Sequence, residues 1–433
     1  MPRPRYRNYM LIVLMVLYAY NFADRLALGL VAQDIKNDLL LSDTQLGVLN
    51  GIAFALLYAT MGIPIARWAD RGNRVFIIAL TTAAWSVMVS MSGLAASYSV
   101  LLLCRAGAAI GEAGCVPPAH SLIADYFERA ERPRALSVHM LGGSVSVLIG
   151  YFACGWLNQL YGWRQMFVML GIPGIALAIL ARLTLKEPRL LKDSHIIAPS
   201  AINTSELAQS ELRLSEIAAT FWRNRTFRHL TLCFVIAMFF NFASLQWQAA
   251  FFMRSFGLRS GELGTWFALI SASGGVAGTY FGGLWATRRA ANDEARQLRI
   301  VGISYCAYGL ASALMYLSPN RYLAYFAALL MALSGGLSTG PLFATIQTLV
   351  PARARATAIA VMYLFANLIG LGLGPLVTGM ISDALITDYG NASLRYALLL
   401  LCPGFVWSAW HAWRASETVA SDSIPATVTV QHD

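Results

Sequence analysis

Residues 99–126 read SVLLLCRAGAAIGEAGCVPPAHSLIADY, and this stretch decides how the rest of the chain is understood. It is long and apolar enough to cross a bilayer, which takes about 20 residues. Yet its interior carries Arg105 and Glu112. Seven positions are two helical turns, so both side chains lie on one face of a helix. A third charge, Asp24, sits inside the first apolar run of the chain. Ionisable groups inside spanning helices are costly and mark substrate or proton paths. The expected chemistry is therefore transport centred on Asp24, Arg105 and Glu112.

Composition agrees. The chain is 57% hydrophobic and 12% charged, against about 25% charged residues in a soluble domain. One protein core cannot bury that much apolar surface, so the lipid bilayer is the expected partner. The net charge of +10 is not gathered into one basic stripe, so nucleic acid is not expected. Six cysteines lie in or beside apolar runs without a CxxC pair, so neither a zinc site nor a disulfide framework is expected. No phosphate loop, HExxH or nucleophile elbow occurs. Neither ATP, another cofactor nor enzymatic catalysis is expected. The first apolar stretch is too long for a cleavable signal peptide.

Twelve spans are read at about 8–32, 44–67, 74–94, 98–127, 132–156, 163–184, 228–256, 261–286, 297–317, 321–350, 353–382 and 392–414. The fold expected is an all-α membrane protein of two pseudo-symmetric six-helix halves. Most of the 32 Lys and Arg fall in the segments that share a side with the N-terminus, which places both termini in the cytoplasm. The halves are 1–184 and 228–415. Between them, 185–227 is a cytoplasmic linker whose Ser205–Arg225 part reads as an amphipathic surface helix. The polar segment 416–433 is expected to be a disordered tail. A turn of small residues leading into a basic cluster occurs at Ala66–Arg74 and again at Gly283–Arg289, and such repeats put a substrate site at the midplane.

The loop Asp70-Arg71-Gly72-Asn73-Arg74 resembles the signature between spans two and three of the major facilitator superfamily. Three further stretches are similar to the spinster transporters within it. They are Asn21-Phe22-Ala23-Asp24-Arg25, Arg105–Ala113 continued by Ile123–Phe127, and Arg132-Pro133-Arg134-Ala135-Leu136-Ser137. The resemblance covers nearly all the spans but neither the linker nor the tail. It implies alternating access and a substrate like sphingosine-1-phosphate or a lysophospholipid. Short loops suggest a bacterial homologue in the inner membrane, and a monomer is expected.

Depth supports a pairing. Asp24 lies ~24 Å along span one, and Arg105 lies ~10 Å into span four from the opposite side. In a layer ~30 Å thick these levels nearly coincide, so an Asp24–Arg105 ion pair is expected. Protonation of Glu112 or Asp24 would free Arg105 for an anionic head group, because a guanidinium grips phosphate in a fixed fork. The residues leave open which carboxylate carries the proton. Arg25, adjacent to Asp24, faces about 100° away; it is expected either to partner another polar group or, the preferred reading, to snorkel. His139 is expected to be a packing residue.

Candidate substrate contacts, besides Arg105, are Asn241, Gln246, Trp247 and Gln248 in span seven, with Tyr363 and Asn367 in span eleven. Their polar groups among aromatics suit an amphiphile. Asp70, Arg71, Arg74 and Arg134 are expected to form a conformational latch on the cytoplasmic side. The function expected is proton-coupled secondary transport of a lysolipid-like anion. The alternatives are efflux of other amphiphilic drugs or organic anions, and an energy-independent lipid scramblase.

Overall fold

The computed structural model describes residues 4–128, 131–190, 221–291, 293–350 and 355–422. These residues form helices and connections, with no β-strand among them. The first are α1 (Pro4–Leu39), α2 (Asp43–Asn50), α3 (Ile52–Arg71), α4 (Arg74–Ser92), α5 (Tyr98–Ala113), α6 (Val116–Tyr126), α7 (Arg132–Met140), α8 (Gly142–Val147) and α9 (Cys154–Thr184). There follow α10 (Arg225–Leu245), α11 (Gln248–Phe256), α12 (Ser260–Ile270), α13 (Val276–Arg289), α14 (Glu294–Leu317) and α15 (Arg321–Leu349). The last are α16 (Arg355–Phe365), α17 (Gly372–Ala384), α18 (Ile386–Tyr389), α19 (Ser393–Leu401) and α20 (Gly404–Asp422).

Helix starts follow local chemistry. Asn73, Ser97, Asp293 and Asn320 each accept a backbone N–H from the first turn of the following helix, satisfying a donor that has no partner inside the helix. Ser42 and Gln45 form a reciprocal capping box at α2.

Eleven helical stretches among the described residues are long and apolar enough to cross a membrane. The difference from twelve arises at Arg134–Leu190, which spans 57 residues, about 85 Å as a straight helix. It is not straight. Gly162 has φ +83° and ψ 162°, a conformation open to glycine alone, and the chain reverses there. Before it, Gly142 packs against Met15, Gly150 against Ala23 and Gly155 against Leu30, so the segment runs parallel to α1. After it, Trp163 and Arg164 reach Asp38, while Thr184 bonds Tyr6 and Tyr9, so the direction is antiparallel.

Three stretches of π-helix interrupt the apolar helices, at Leu148–Ala153, Ser271–Gly275 and Ala366–Leu371. Such bulges recur at functional sites. Packing divides the chain into two compact units rather than at the linker. One unit gathers the described residues within 1–196 with Ala243–Leu269 and Leu371–Leu394; the other holds the remainder. The boundaries cut α10 and α19, cross the π stretch of residues 366–371 and fall just before the one at 271–275.

The amphipathic linker helix expected over Ser205–Arg225 lies almost wholly outside the described residues. The polar tail expected from 416 is corrected in its first part: α20 stays helical to Asp422. The Asp422 carboxylate accepts from the Thr226 N–H and hydroxyl, both at 2.9 Å. Those bonds fasten the helix end to the start of α10.

Candidate functional site

The interior of α1 and α5 carries two ion pairs. Arg105 Nη1 donates to Asp24 Oδ2 at 2.5 Å, the pair expected from depth. Arg25 Nε donates to Glu112 Oε1 at 2.6 Å. This corrects the snorkelling expected of Arg25, whose side chain is 12% exposed and turns inward to Glu112, itself 2% exposed. Adjacent positions on α1 thus serve two partners on α5, because Arg105 and Glu112 are two turns apart and the arginine arms span the offset. Aromatic rings complete the lining. Both guanidiniums lie over Phe54, at 4.6 Å for Arg25 and 4.9 Å for Arg105, and Arg25 also lies 4.7 Å from the Tyr58 ring. A cation over an aromatic face is stabilised most where water is excluded.

Two acids and two bases leave the group neutral, as burial requires. The pairing is incomplete, however. Asp24 Oδ1, Glu112 Oε2 and Arg105 Nε are buried without a hydrogen-bond partner among the described residues. The two carboxylate oxygens can accept, and Arg105 Nε can donate, a further hydrogen bond.

The second region lies in the other compact unit. A cavity of about 250 Å³ is lined by residues including Asn241, Tyr305, Tyr308, Ser338, Phe343 and Tyr363. Asn241 Nδ2 donates to the Tyr308 hydroxyl at 2.9 Å, and the Phe343 and Tyr363 rings stack at 5.7 Å. Of the expected contact residues, Asn241 and Tyr363 line this cavity. Gln246 packs against Gly29. Trp247 is wholly buried and donates from its indole to the Pro375 carbonyl at 3.0 Å. Gln248 opens α11 and Asn367 sits in the π stretch of residues 366–371; neither lines the cavity.

Arg74, expected in the latch, is fully buried and has other partners. Glu187 accepts from its backbone N–H at 2.8 Å and from Nη2 at 2.5 Å, Asp125 lies 2.6 Å from Nη2, and Ser121 accepts from Nη1 at 2.9 Å. Arg71 and Arg134 are exposed, and the side chain of Asp70 lies outside the described residues. At the other end of the helices stands a cluster the sequence did not reveal. Asp43 is fully buried and receives Lys36 at 2.5 Å, both Arg254 terminal nitrogens at 2.6 and 2.7 Å, and the Ser382 hydroxyl at 2.6 Å. Asp383 accepts from the N–H groups of Asp43 and Thr44 at 2.9 and 2.7 Å, capping α2 from a helix more than 300 positions away.

Residues 14–414 match the model of the Major Facilitator Superfamily. The chain belongs to the major facilitator superfamily. It is 34% identical over 396 residues to an MFS-type efflux pump of Mycolicibacterium smegmatis, covering 90% of this chain and 87% of that one. Within the superfamily it is spinster-like. A crystal structure of a bacterial homologue of the human lysosomal transporter Spinster, inward-facing and unoccupied, superimposes with a TM-score of 0.82. That match is 31% identical and covers 98% of this chain and all of the other. Protein spinster homolog 1 of Xenopus tropicalis is 26% identical over 432 residues, covering 91% of this chain and 78% of that protein.

Proposed function

We propose that this superfamily transporter is a proton-coupled secondary carrier of amphiphilic anions such as lysophospholipids or sphingosine-1-phosphate. It works by alternating access in the inner membrane, with both termini in the cytoplasm. The observation that carries the reading is the pair of buried ion bonds, Asp24–Arg105 and Arg25–Glu112, each keeping an unpartnered carboxylate oxygen. In a site that tolerates little net charge, adding a proton to either acid weakens its hold on the arginine. The released guanidinium then suits a phosphate or carboxylate. An anion on that guanidinium takes the acid's cationic partner and so favours retention of the proton, so the carboxylate and the anion compete for one set of arginines. By itself, the aromatic cavity of the other unit, with neutral hydroxyl and amide groups, suits an apolar or amphiphilic group.

The test is uptake of labelled sphingosine-1-phosphate into proteoliposomes with and without a pH gradient. Gradient-driven uptake that is lost in Glu112→Gln supports the carrier. Uptake indifferent to the gradient supports a scramblase. A second reading, efflux of other amphiphilic drugs, is favoured by the 34% identity to the mycobacterial efflux pump. Competition of uptake by cationic dyes, which a guanidinium site would repel, separates it from the first.

A further inference from the structure

His139 on α7 has no solvent exposure, and neither of its ring nitrogens has a hydrogen-bond partner among the described residues. His120 on α6 stands edge-on to it, with ring centroids 5.3 Å apart, and its Nε2 is also buried and unpartnered. A phenyl ring would fill this place with no polar atom left bare, so packing alone does not account for two imidazoles. A second histidine pair shows the ordinary solution. His229 and His411 bond Nδ1 to Nδ1 at 2.9 Å.

Ring contacts run from the unbonded pair towards the ion pairs. Tyr18 of α1 lies 5.1 Å from the His139 ring, then Phe22 lies 6.1 Å from Tyr18, then Arg25 lies 5.2 Å from Phe22, and Arg25 holds Glu112. Along the other wall, His120 follows Glu112 by eight positions, across the turn at Gly114 and Cys115 that joins α5 to α6, towards the end where Tyr126 bonds the Lys186 carbonyl. The groups facing His139 are His120 from α6 and Tyr18 from α1. Behind Tyr18 stand Arg25, Tyr58, Glu112 and Cys115.

We infer that His120 and His139 form a second proton station, which takes the proton that leaves Glu112 and passes it to water at the Tyr126 end. This rests on the proton-coupled reading above. In the step, the O–H bond of protonated Glu112 breaks and the proton travels through water to a bare imidazole nitrogen, where an N–H bond forms. The Glu112 carboxylate left behind returns to Arg25. The station later gives its proton to water, so one positive charge moves and no electrons change hands.

The first test needs no substrate. Histidine side chains of the full chain, 15N-labelled in nanodiscs, are followed by NMR from about pH 5 to 9, with His139 assigned through His139→Gln. The inference expects His139 to change protonation in that range. Its midpoint should fall in Glu112→Gln, because a nearby negative charge is removed. A His139 that keeps one neutral form throughout, or a midpoint indifferent to Glu112→Gln, overturns it. The second test is gradient-driven uptake of sphingosine-1-phosphate in His139→Phe and His120→Phe, with gradient-free exchange as the check on folding. A loss of about tenfold or more in driven uptake, with exchange retained, is the expected result. Wild-type uptake blind to the gradient overturns the proton-coupled reading itself. Driven uptake equal in wild type and both variants overturns the histidine station alone.

Discussion

Buried polarity takes two forms in this molecule. Between α1 and α5 the buried groups are ionisable: Asp24, Arg25, Arg105 and Glu112 stand in two bonded pairs against Phe54. Around the cavity of α10, α14 and α15 the polar groups are neutral, namely the Asn241 amide and the hydroxyls of Tyr305, Tyr308 and Ser338. The first arrangement is stiff, because losing one member strands a charge. The second is permissive, because hydroxyls and amides can exchange one partner for another at little cost. Under the proposed function, the first region would serve coupling and the second would accept varied shapes.

The largest expected effect breaks the first region. Arg105→Ala leaves Asp24 buried and uncompensated, and thermal unfolding in detergent should show a loss of about 3–5 kcal/mol. Adding Asp24→Asn should recover most of it. If the double variant is no better than the single one, the two side chains are not coupled as described. Phe54→Leu removes the ring that lies over both guanidiniums, and should cost about 2 kcal/mol by the same measurement. Next comes the second region. Tyr308→Phe removes only the partner of Asn241, so about 1 kcal/mol is expected, with weaker ligand binding and an unchanged response to the pH gradient. A changed gradient response would erase the contrast between the regions. The smallest effect calibrates burial: Arg414 and Glu417 form an ion pair with both side chains more than half exposed, and Arg414→Ala should shift stability by no more than about 0.5 kcal/mol.

The charged region was largely legible in the sequence, and the reason is scarcity. Ionisable residues in apolar runs are few, so Asp24, Arg105 and Glu112 stood out, and rise per residue put two of them at one depth. Arg25 was misjudged because helical angle describes where a residue leaves the backbone, not where a long side chain ends. The Asp43 cluster was invisible because it joins positions 211 and 339 residues apart, and nothing local marks Arg254 or Ser382 as its partners. Arg74 bonds Glu187 across 113 positions, so a latch argued from the neighbouring Asp70 missed it. The reversal at Gly162 was legible: the spans read at 132–156 and 163–184 leave this residue in the turn between them, and its φ of +83° marks the turn.

The measurement that bears most directly on the central claim is the pH-gradient dependence of sphingosine-1-phosphate uptake in proteoliposomes, comparing wild type with Glu112→Gln. The account predicts that wild-type uptake rises with an imposed gradient, and that Glu112→Gln keeps gradient-free exchange but ignores the gradient. Equal gradient response in the two proteins would contradict it, because Glu112 would then be an ion pair that holds α1 to α5 and nothing more.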